Sequence, residues 1–198
     1  MYSETIMQKM SKQKCQPQGM TLIELLIVIG ILAIMAGMTM SALGEYIPEY
    51  RLNAAVRELA TDLQNAKTEA IKRNAYIVVV FSPGIYSPEG EIGSYFMFVD
   101  DGKGGGVSAN FTHDGDEEVI TNKTMPKNVS LYSSGFTTIN STNNRILFNS
   151  LGLPNIKVSN KFIFGNVKLR NNKSKYYKIS TSMYGGLRII ESNNGTFS

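Results

Sequence analysis

Two hydrophobic patterns follow one another in the first third of the chain. Twenty residues from Leu25 to Gly44 contain no charged side chain. At 1.5 Å per helical residue they form a helix of roughly 30 Å, long enough to cross a bilayer. After Pro48 the apolar residues recur at steps of three and four, which predicts an amphipathic helix over residues 50–74. Its apolar stripe, which we expect to pack on a sheet, consists of Leu52, Val56, Leu59, Leu63, Ala66 and Ala70.

Two residues predict an irregularity within this helical region and its end. Pro48 cannot donate a hydrogen bond to the carbonyl of Gly44, so we expect a kink or local unwinding there. The helix should end near Asn74, because two cations precede it and asparagine is tolerated at helix C-termini.

From Tyr76 onward the pattern becomes that of short strands separated by clusters of Gly, Asn, Ser and Pro. A long helix whose second half covers strands predicts an α+β fold with a mostly antiparallel sheet over residues 76–190. The predicted strands are Tyr76–Phe81, Tyr95–Val99, Glu118–Thr121, Val129–Tyr132, Arg145–Phe148, Lys161–Phe164, Tyr176–Thr181 and Leu187–Ile190.

Charge is distributed unevenly along the 198 residues, whose net charge is +4. Residues 84–118 carry eight acidic side chains and one lysine, whereas residues 157–198 carry eight basic side chains and one glutamate. Such asymmetry fits either a self-associating or anion-contacting surface, or two solvated faces of one sheet, and we favour the second interpretation. The single cysteine, Cys15, precedes the hydrophobic run, so no disulfide framework is expected.

The N-terminal segment Gln16-Pro17-Gln18-Gly19-Met20-Thr21-Leu22-Ile23-Glu24 admits three interpretations. A secretory signal has a shorter apolar stretch. A plain membrane anchor fits the basic residues Lys9, Lys12 and Lys14 but not a carboxylate, which costs a few kcal/mol in a membrane helix. Cleavage after Gly19 accounts for Glu24, because the new α-amine of one subunit can pair with Glu24 of a neighbour. Glu24 also lies in the first helical turn, where the helix dipole favours a negative charge.

These residues resemble the class III signal of type IV pilins and type II secretion pseudopilins. The resemblance implies that a prepilin peptidase cleaves between Gly19 and Met20 and that Met20 is then N-methylated. Phenylalanine is commonest in the family at the position of Met20. The implied organisation is a leader at 1–19, a transmembrane assembly helix at 20–44 and an exported head at 45–198.

A second resemblance covers the head. The stretch from Asn53 to Asn74 with the following strand, the segment Phe148-Asn149-Ser150-Leu151-Gly152, and Lys178–Ser180 with Gly185-Gly186-Leu187-Arg188 are similar to the minor pseudopilin group GspH/FimT. The resemblance implies a non-enzymatic subunit that initiates or caps a filament rather than forming its bulk. It also implies a single-pass inner-membrane protein with a cytoplasmic N-terminus and a periplasmic or extracellular head.

Small residues at Gly30, Ala33, Gly37, Ser41 and Gly44 form a stripe along the apolar helix. Such a stripe allows close approach of another helix, and it is equally typical of ordinary membrane helices. With Pro48 it marks the candidate packing residues for other pilin subunits.

Catalytic and metal sites find little support in the sequence. His113 is the only histidine, and a solvated loop position is its simplest interpretation. Zinc would need three or four nitrogen or sulfur ligands. The acidic loop 100–118 lacks EF-hand spacing, so we favour a solvated glycine-rich hairpin over calcium binding and expect no cofactor.

Basic and aromatic residues alternate near the C-terminus, which is typical of surfaces that track phosphates and stack on bases. FimT-type DNA binding is linked to a glycine-arginine-x-arginine motif, and Gly186-Leu187-Arg188-Ile189 matches at most one of its arginines. DNA binding in natural transformation is therefore the alternative function. A solvated lysine face without a binding role is the simpler interpretation of these residues. The candidate DNA-binding residues are Lys168, Arg170, Lys173, Lys175, Lys178 and Arg188, with Lys157 and Lys161 nearby.

Overall fold

The computed structural model describes residues 19–138, 141–154, 165–182 and 184–197. The described chain divides into two compact units, one ending at Ala42 and the other running from Leu43. Residues 1–18 of the predicted leader, Lys157, Lys161 and the predicted strand at 161–164 lie outside the described residues. The helix is α1 (Leu22–Arg73), and a 3₁₀ helix covers Lys103–Gly105. The strands are β1 (Tyr76–Ser82), β2 (Ser94–Asp100), β3 (Val119–Thr124), β4 (Val129–Thr138), β5 (Ser141–Asn143), β6 (Arg145–Phe148), β7 (Gly165–Asn171), β8 (Tyr176–Thr181) and β9 (Leu187–Ser192).

Helix α1 is continuous through Pro48, so of the predicted kink or local unwinding the unwinding is absent, and the kink stays a prediction. The proline ring fixes φ near −65°, which is already the helical value, and the lost interaction is a single hydrogen bond. The side chain of Pro48 is also buried, which offsets part of that loss.

The end of α1 confirms the prediction of a stop near Asn74. Asn74 adopts a positive φ of 50°. The N–H of Ala75 donates to the carbonyl of Ala70 at 3.3 Å, and the N–H of Asn74 donates to Ile71 at 3.4 Å. These two bonds form a Schellman motif, which satisfies carbonyls that the helix end leaves without a helical partner.

The strands form two antiparallel sheets rather than the one sheet expected from the sequence. The four-stranded sheet has the order β3-β2-β1-β6, and the five-stranded sheet has the order β5-β4-β7-β8-β9. All pairs between these strands are antiparallel, which confirms the α+β class.

Strand β7 lies in the middle of the five-stranded sheet, although the sequence analysis did not identify it. Its residues alternate strictly between buried and half-buried positions. Val167 and Leu169 point into the core, while Lys168 and Arg170 point outward. Its outward residues, Asn166, Lys168 and Arg170, are all polar, so the strand resembled a polar segment. A half-buried strand needs apolar residues only at alternate positions.

One hydrophobic core joins the second part of α1 to both sheets. The predicted stripe is buried along its whole length: Leu52, Leu59, Ala66 and Ala70 have 0% exposure. These residues share a cluster with apolar side chains of both sheets, including Phe81, Phe136, Phe148 and Leu169.

Polar contacts attach the same helix to the four-stranded sheet. Tyr95 donates its hydroxyl proton to Asp62 at 2.7 Å, and Lys123 donates to Glu58 at 2.7 Å and to Asp62 at 2.9 Å. Burial, with help from Asp62, raises the pKa of Tyr95 well above its ordinary value. The hydroxyl therefore remains protonated and available to donate.

Candidate functional site

The start of α1 is built by a threonine cap. Gly19, Met20 and Thr21 precede the helix and are exposed. The N–H of Glu24 donates to Oγ1 of Thr21 at 3.3 Å, and the N–H of Leu25 donates to the Thr21 carbonyl at 3.1 Å. Thr21 is thus the N-cap, and it satisfies a donor that the first helical turn cannot pair internally.

Glu24 occupies the third helical position after this cap. Threonine at the cap with glutamate three residues later is the capping-box sequence, a signal that the sequence analysis missed. The carboxylate is exposed and forms no ion pair within the described part of the chain. The structure thus pairs the backbone N–H of Glu24 with the cap, while its carboxylate remains available to a charge from another molecule.

The segment Leu22–Met40 is long and apolar enough to span a membrane, and none of it is buried within the chain. Ile29, Ile31 and Leu32 are each more than half exposed. A methyl group added to Gly30 or Gly37 would meet no atom within 4 Å. Apolar surface of this extent needs lipid or protein from outside the chain.

The second candidate surface is the outer face of the five-stranded sheet. Lys168 of β7 pairs in register with Lys178 of β8, and Ser180 pairs with Arg188 of β9. Side chains directly opposite each other lie on the same face of a sheet. Arg170 shares that face because it is two residues from Lys168, so four of the six candidate cations are brought together.

Aromatic rings, rather than carboxylates, contact three of these cations. The guanidinium of Arg170 lies 3.6 Å from the ring centroid of Tyr86 and 4.8 Å from that of Tyr176. Its Nε is buried and has no hydrogen-bond partner among the described residues. Lys168 and Lys178 lie 5.6 and 5.0 Å from the ring of Phe197. Tyr86 and Phe197 are distant in sequence, so no local pattern indicated them.

Lys173 and Lys175 lie apart from this face, at the turn between β7 and β8. Lys175 is 3.1 Å from Glu191 and 3.9 Å from Glu49, and Lys173 is 3.9 Å from Glu45. The hydrogen bond with Glu191 raises the pKa of Lys175, and the same bond lowers the pKa of Glu191. These two lysines are therefore partly neutralised by the chain itself.

The acidic loop 100–118 joins the antiparallel strands β2 and β3 and is largely exposed, as predicted for a solvated hairpin, but it folds around two buried carboxylates. Asp100 accepts hydrogen bonds from the N–H groups of Ala109 at 2.6 Å and Phe111 at 2.7 Å. Glu117 accepts from Gly102 at 3.2 Å and from Asp114 at 3.1 Å. Much of the acidic charge in this region therefore stabilises the loop. No cluster of three potential metal ligands occurs in the described ranges.

His113 of the same loop packs edge-on against two rings of the four-stranded sheet. Its ring centroid lies 5.2 Å from that of Phe98 and 6.2 Å from that of Phe96. Its Nε2 is 3.2 Å from the carbonyl oxygen of Glu117. The loop histidine therefore rests one edge against the sheet and stays exposed, in agreement with the predicted solvated loop position.

Comparison with known proteins adds independent information. A family model for the type II transport protein GspH matches residues 55–185, and a model for the prokaryotic N-terminal methylation motif matches residues 16–40. The pilin-like protein PilA1 of Thermus thermophilus is 37% identical over 102 residues. That match covers 51% of this chain and 56% of PilA1, so the chain spans about half the length of its curated relative. No solved structure matches the chain.

Proposed function

The chain belongs to the GspH family of type II transport proteins, and we propose that it is a non-enzymatic minor subunit that initiates or caps a filament. The family and the methylation motif identify it as a membrane-anchored, pilin-like pseudopilin of a type IV pilus or type II secretion machine. Pilin families are generally structural. The proposal adds the position in the filament, cleavage between Gly19 and Met20, and N-methylation of Met20 by prepilin peptidase.

The observation that carries the proposal is the wholly exposed apolar segment Leu22–Met40, which contains a single carboxylate, Glu24, in its first helical turn. Lipid covers this surface before assembly, and the corresponding helices of neighbouring pilin subunits cover it afterwards. Glu24 then pairs with the α-amine that cleavage creates on a neighbour, because an unpaired carboxylate is costly in hydrocarbon. The small residues Gly30, Ala33 and Gly37 permit close helix approach.

The topology proposed is single-pass in the bacterial inner membrane. The basic residues before Gly19 hold the N-terminus in the cytoplasm, in keeping with the preference of cytoplasmic segments for Lys and Arg. The head that starts after Gly44 is then periplasmic or extracellular.

Cleavage is tested with the substitution Gly19→Ala. We expect the variant to accumulate in membranes at the mass of the precursor, whereas the wild-type protein begins at N-methyl-Met20. N-terminal sequencing and intact mass of the full chain purified from membranes provide the measurement. Gly30→Ala, which leaves the cleavage motif intact, is the control. Normal processing of the Gly19 variant would refute the peptidase assignment.

Charge pairing by Glu24 can be separated from the capping role that its position after Thr21 would allow. Glu24→Gln keeps a side chain that suits the third position of a capping box but removes the charge. If the charge pairs with a neighbour, Glu24→Gln and Glu24→Ala should impair filament incorporation equally. Thr21→Ala removes the cap and keeps the charge, so it should incorporate nearly normally. Incorporation is measured as the fraction of processed subunit recovered in sheared or detergent-resistant filaments.

The reverse ranking would support the capping role instead. A defect in Thr21→Ala matching that of Glu24→Ala, with Glu24→Gln unaffected, would eliminate the charge-pairing account while leaving cleavage untouched.

DNA binding is the second candidate function, and the basic outer face favours it. Lys168, Arg170, Lys178 and Arg188 share one face and form no ion pair among the described residues. Cations without carboxylate partners beside aromatic rings suit a phosphate backbone and unstacked bases. The alternative is a solvated sheet face.

The full chain in nanodiscs should then retain single-stranded DNA in a salt-dependent way. Lys168→Glu with Lys178→Glu should abolish retention. Lys173→Glu with Lys175→Glu has the same change in charge but alters lysines that already contact carboxylates, so it should retain DNA. Lack of retention at low salt would end this hypothesis.

A further inference from the structure

Residues 193–197 follow strand β9 and fold back across the basic outer face of the five-stranded sheet, and we call them the strap. Ser192, the last residue of β9, pairs in register with Tyr176, so both side chains lie on that face. Gly195 has a positive φ of 77°, and a methyl group added to it would lie 3.3 Å from Cε1 of Tyr176. The strap therefore turns at Gly195 and passes close over the ring of Tyr176.

Phe197 of the strap brings its ring over two of the candidate DNA-binding lysines. The centroid of the ring lies 5.0 Å from Nζ of Lys178 on β8 and 5.6 Å from Nζ of Lys168 on β7. Phe197 is half-buried although it lies outside the strands. The ring covers these ammonium groups without neutralising them, because it brings a π-face and no carboxylate.

Hydrogen bonds give the strap its shape but do not attach it to the sheet. The side-chain oxygen of Asn194 accepts from Oγ of Ser192 at 2.8 Å, from the N–H of Thr196 at 3.1 Å and from the hydroxyl of Thr196. Every hydrogen bond found for residues 193–197 in the described part of the chain stays within residues 192–196. The strap is thus a preformed turn that can leave the face as one unit.

Contacts with rings hold the strap on the face, and these contacts are weak. A cation–π contact at an exposed site shifts an equilibrium by about two- to fivefold. The two contacts of Phe197 therefore favour the covered face by about five- to thirtyfold. The phosphates of a bound strand interact with the four cations of this face at once, which is enough to displace the strap.

A base of single-stranded nucleic acid can take the position of the Phe197 ring. Both present a flat π-face to the ammonium groups of the two lysines. The base also belongs to a strand that supplies phosphates to the same lysines, which the ring cannot do. In a duplex the bases are stacked inside the helix and do not reach a protein surface in this way.

We propose that the strap is a displaceable cover of the DNA-binding face and that Phe197 holds the position that a base of single-stranded DNA takes. The inference rests on the second candidate function, DNA binding, and adds the form of the ligand and its regulation. Because a base must displace the ring, the strap lowers the affinity for single-stranded DNA. A strand without bases binds through its phosphates alone and does not compete with the ring.

The position of the strap is tested first, without DNA. The chain contains no tryptophan, so Phe197→Trp places a single fluorescent indole in the strap. Acrylamide should quench it about twofold less than the indole of Ile85→Trp, since ammonium groups cover one of its two faces. Ile85 is 93% exposed in a different loop. Adding Lys168→Gln and Lys178→Gln to Phe197→Trp should remove the protection. Both measurements use the full chain in nanodiscs.

Competition with a base is tested by the affinity for two oligonucleotides of equal length, oligothymidylate and an abasic strand. Phe197→Ala should bind oligothymidylate about tenfold more tightly than the wild-type chain, because no cation–π contact has to be broken. Its affinity for the abasic strand should be unchanged. Phe197→Tyr keeps an aromatic face and should behave as the wild type. Tyr184→Ala, which removes an exposed ring from a different turn, is the control.

The outcomes separate the strap from DNA binding itself. Weaker binding of oligothymidylate by Phe197→Ala would show that the ring belongs to the DNA site and does not cover it. An equal gain for the abasic strand would refute competition with a base. DNA retention together with an unprotected indole would refute the strap alone. Lack of retention by every variant at low salt, together with a protected indole, would refute DNA binding and with it the ligand proposed here.

Discussion

The two parts of α1 have opposite surroundings although they belong to one helix. Between Leu22 and Met40 no residue is buried by the chain, and apolar side chains point in every direction. Between Leu52 and Ala70 the apolar residues form one stripe with exposures of 0–2% for Leu52, Val56, Leu59 and Leu63. The first part depends on partners outside the chain, and the second depends on the two sheets.

This difference shows how one helix can suit two environments, lipid or neighbouring helices for its first part and a protein core for its second. An all-apolar helix has no preferred face, so lipid and several neighbouring helices can surround it. An amphipathic helix has one apolar face, so it packs against one partner surface, and this holds the head in a single structure. Substitutions in the first part should therefore affect membrane insertion and assembly, and those in the second should affect the stability of the head.

The largest expected effect compares two leucines. Leu59→Ala should lower the free energy of unfolding of the head by about 2–5 kcal/mol, because it leaves a cavity in a packed core. Leu32→Ala, at a position with 58% exposure, should change it by less than about 0.5 kcal/mol. Urea unfolding of the full chain in nanodiscs, followed by tyrosine circular dichroism, measures both. Equal losses of unfolding free energy in the two variants would show that the two parts of α1 do not differ in their contribution to the stability of the head.

A smaller effect compares two glycines. A methyl group on Gly165 would lie 1.7 Å from Cδ1 of Phe136, whose ring stacks on Phe81 at 5.3 Å and cannot easily move. Gly165→Ala should therefore destabilise the head by about 1–3 kcal/mol through overpacking.

Gly37→Ala is the matched substitution in the first part of α1, where an added methyl group meets nothing within 4 Å. It should leave unfolding of the head unchanged in the same urea titration. A loss of head stability in this variant would show that the apolar segment contributes to the core.

The sequence predicted those features that depend on local patterns. The stripe from Leu52 to Ala70 and the helix end at Asn74 were identified correctly, because helical periodicity and terminal capping need only neighbouring residues. Seven of the strands were located for the same reason. Strand β7 was missed because Lys168 and Arg170 were interpreted as part of a DNA-binding segment. They are in fact the outward-facing residues of a strand.

The remaining differences arise from contacts distant in sequence. Tyr86 stacks on Arg170, and Glu45 and Glu49 approach Lys173 and Lys175. The six cations looked uniform in the sequence. These contacts separate the four on the sheet face from Lys173 and Lys175, which lie near carboxylates. Pattern reasoning identified the charged segment, but only the fold could show which charges are already paired.

The smallest expected effect is a pH dependence of head stability that comes from Tyr177, a residue of β8 in the core that the second part of α1 shares with the sheets. Burial, assisted by Glu191, raises the pKa of Tyr177 to about 12. The ordinary value is 10.0. Between these values the unfolded chain releases the phenolic proton while the folded head keeps it, so stability falls as pH rises, by at most about 1.4 kcal/mol per pH unit for this group. Below pH 10 the contribution is fully present.

Tyr177→Phe should therefore flatten the decline of the urea midpoint between pH 10 and 12, whereas Tyr184→Phe, at an exposed position outside the core, should retain the wild-type slope. An unchanged slope in Tyr177→Phe would show that the core does not hold this hydroxyl in its neutral form.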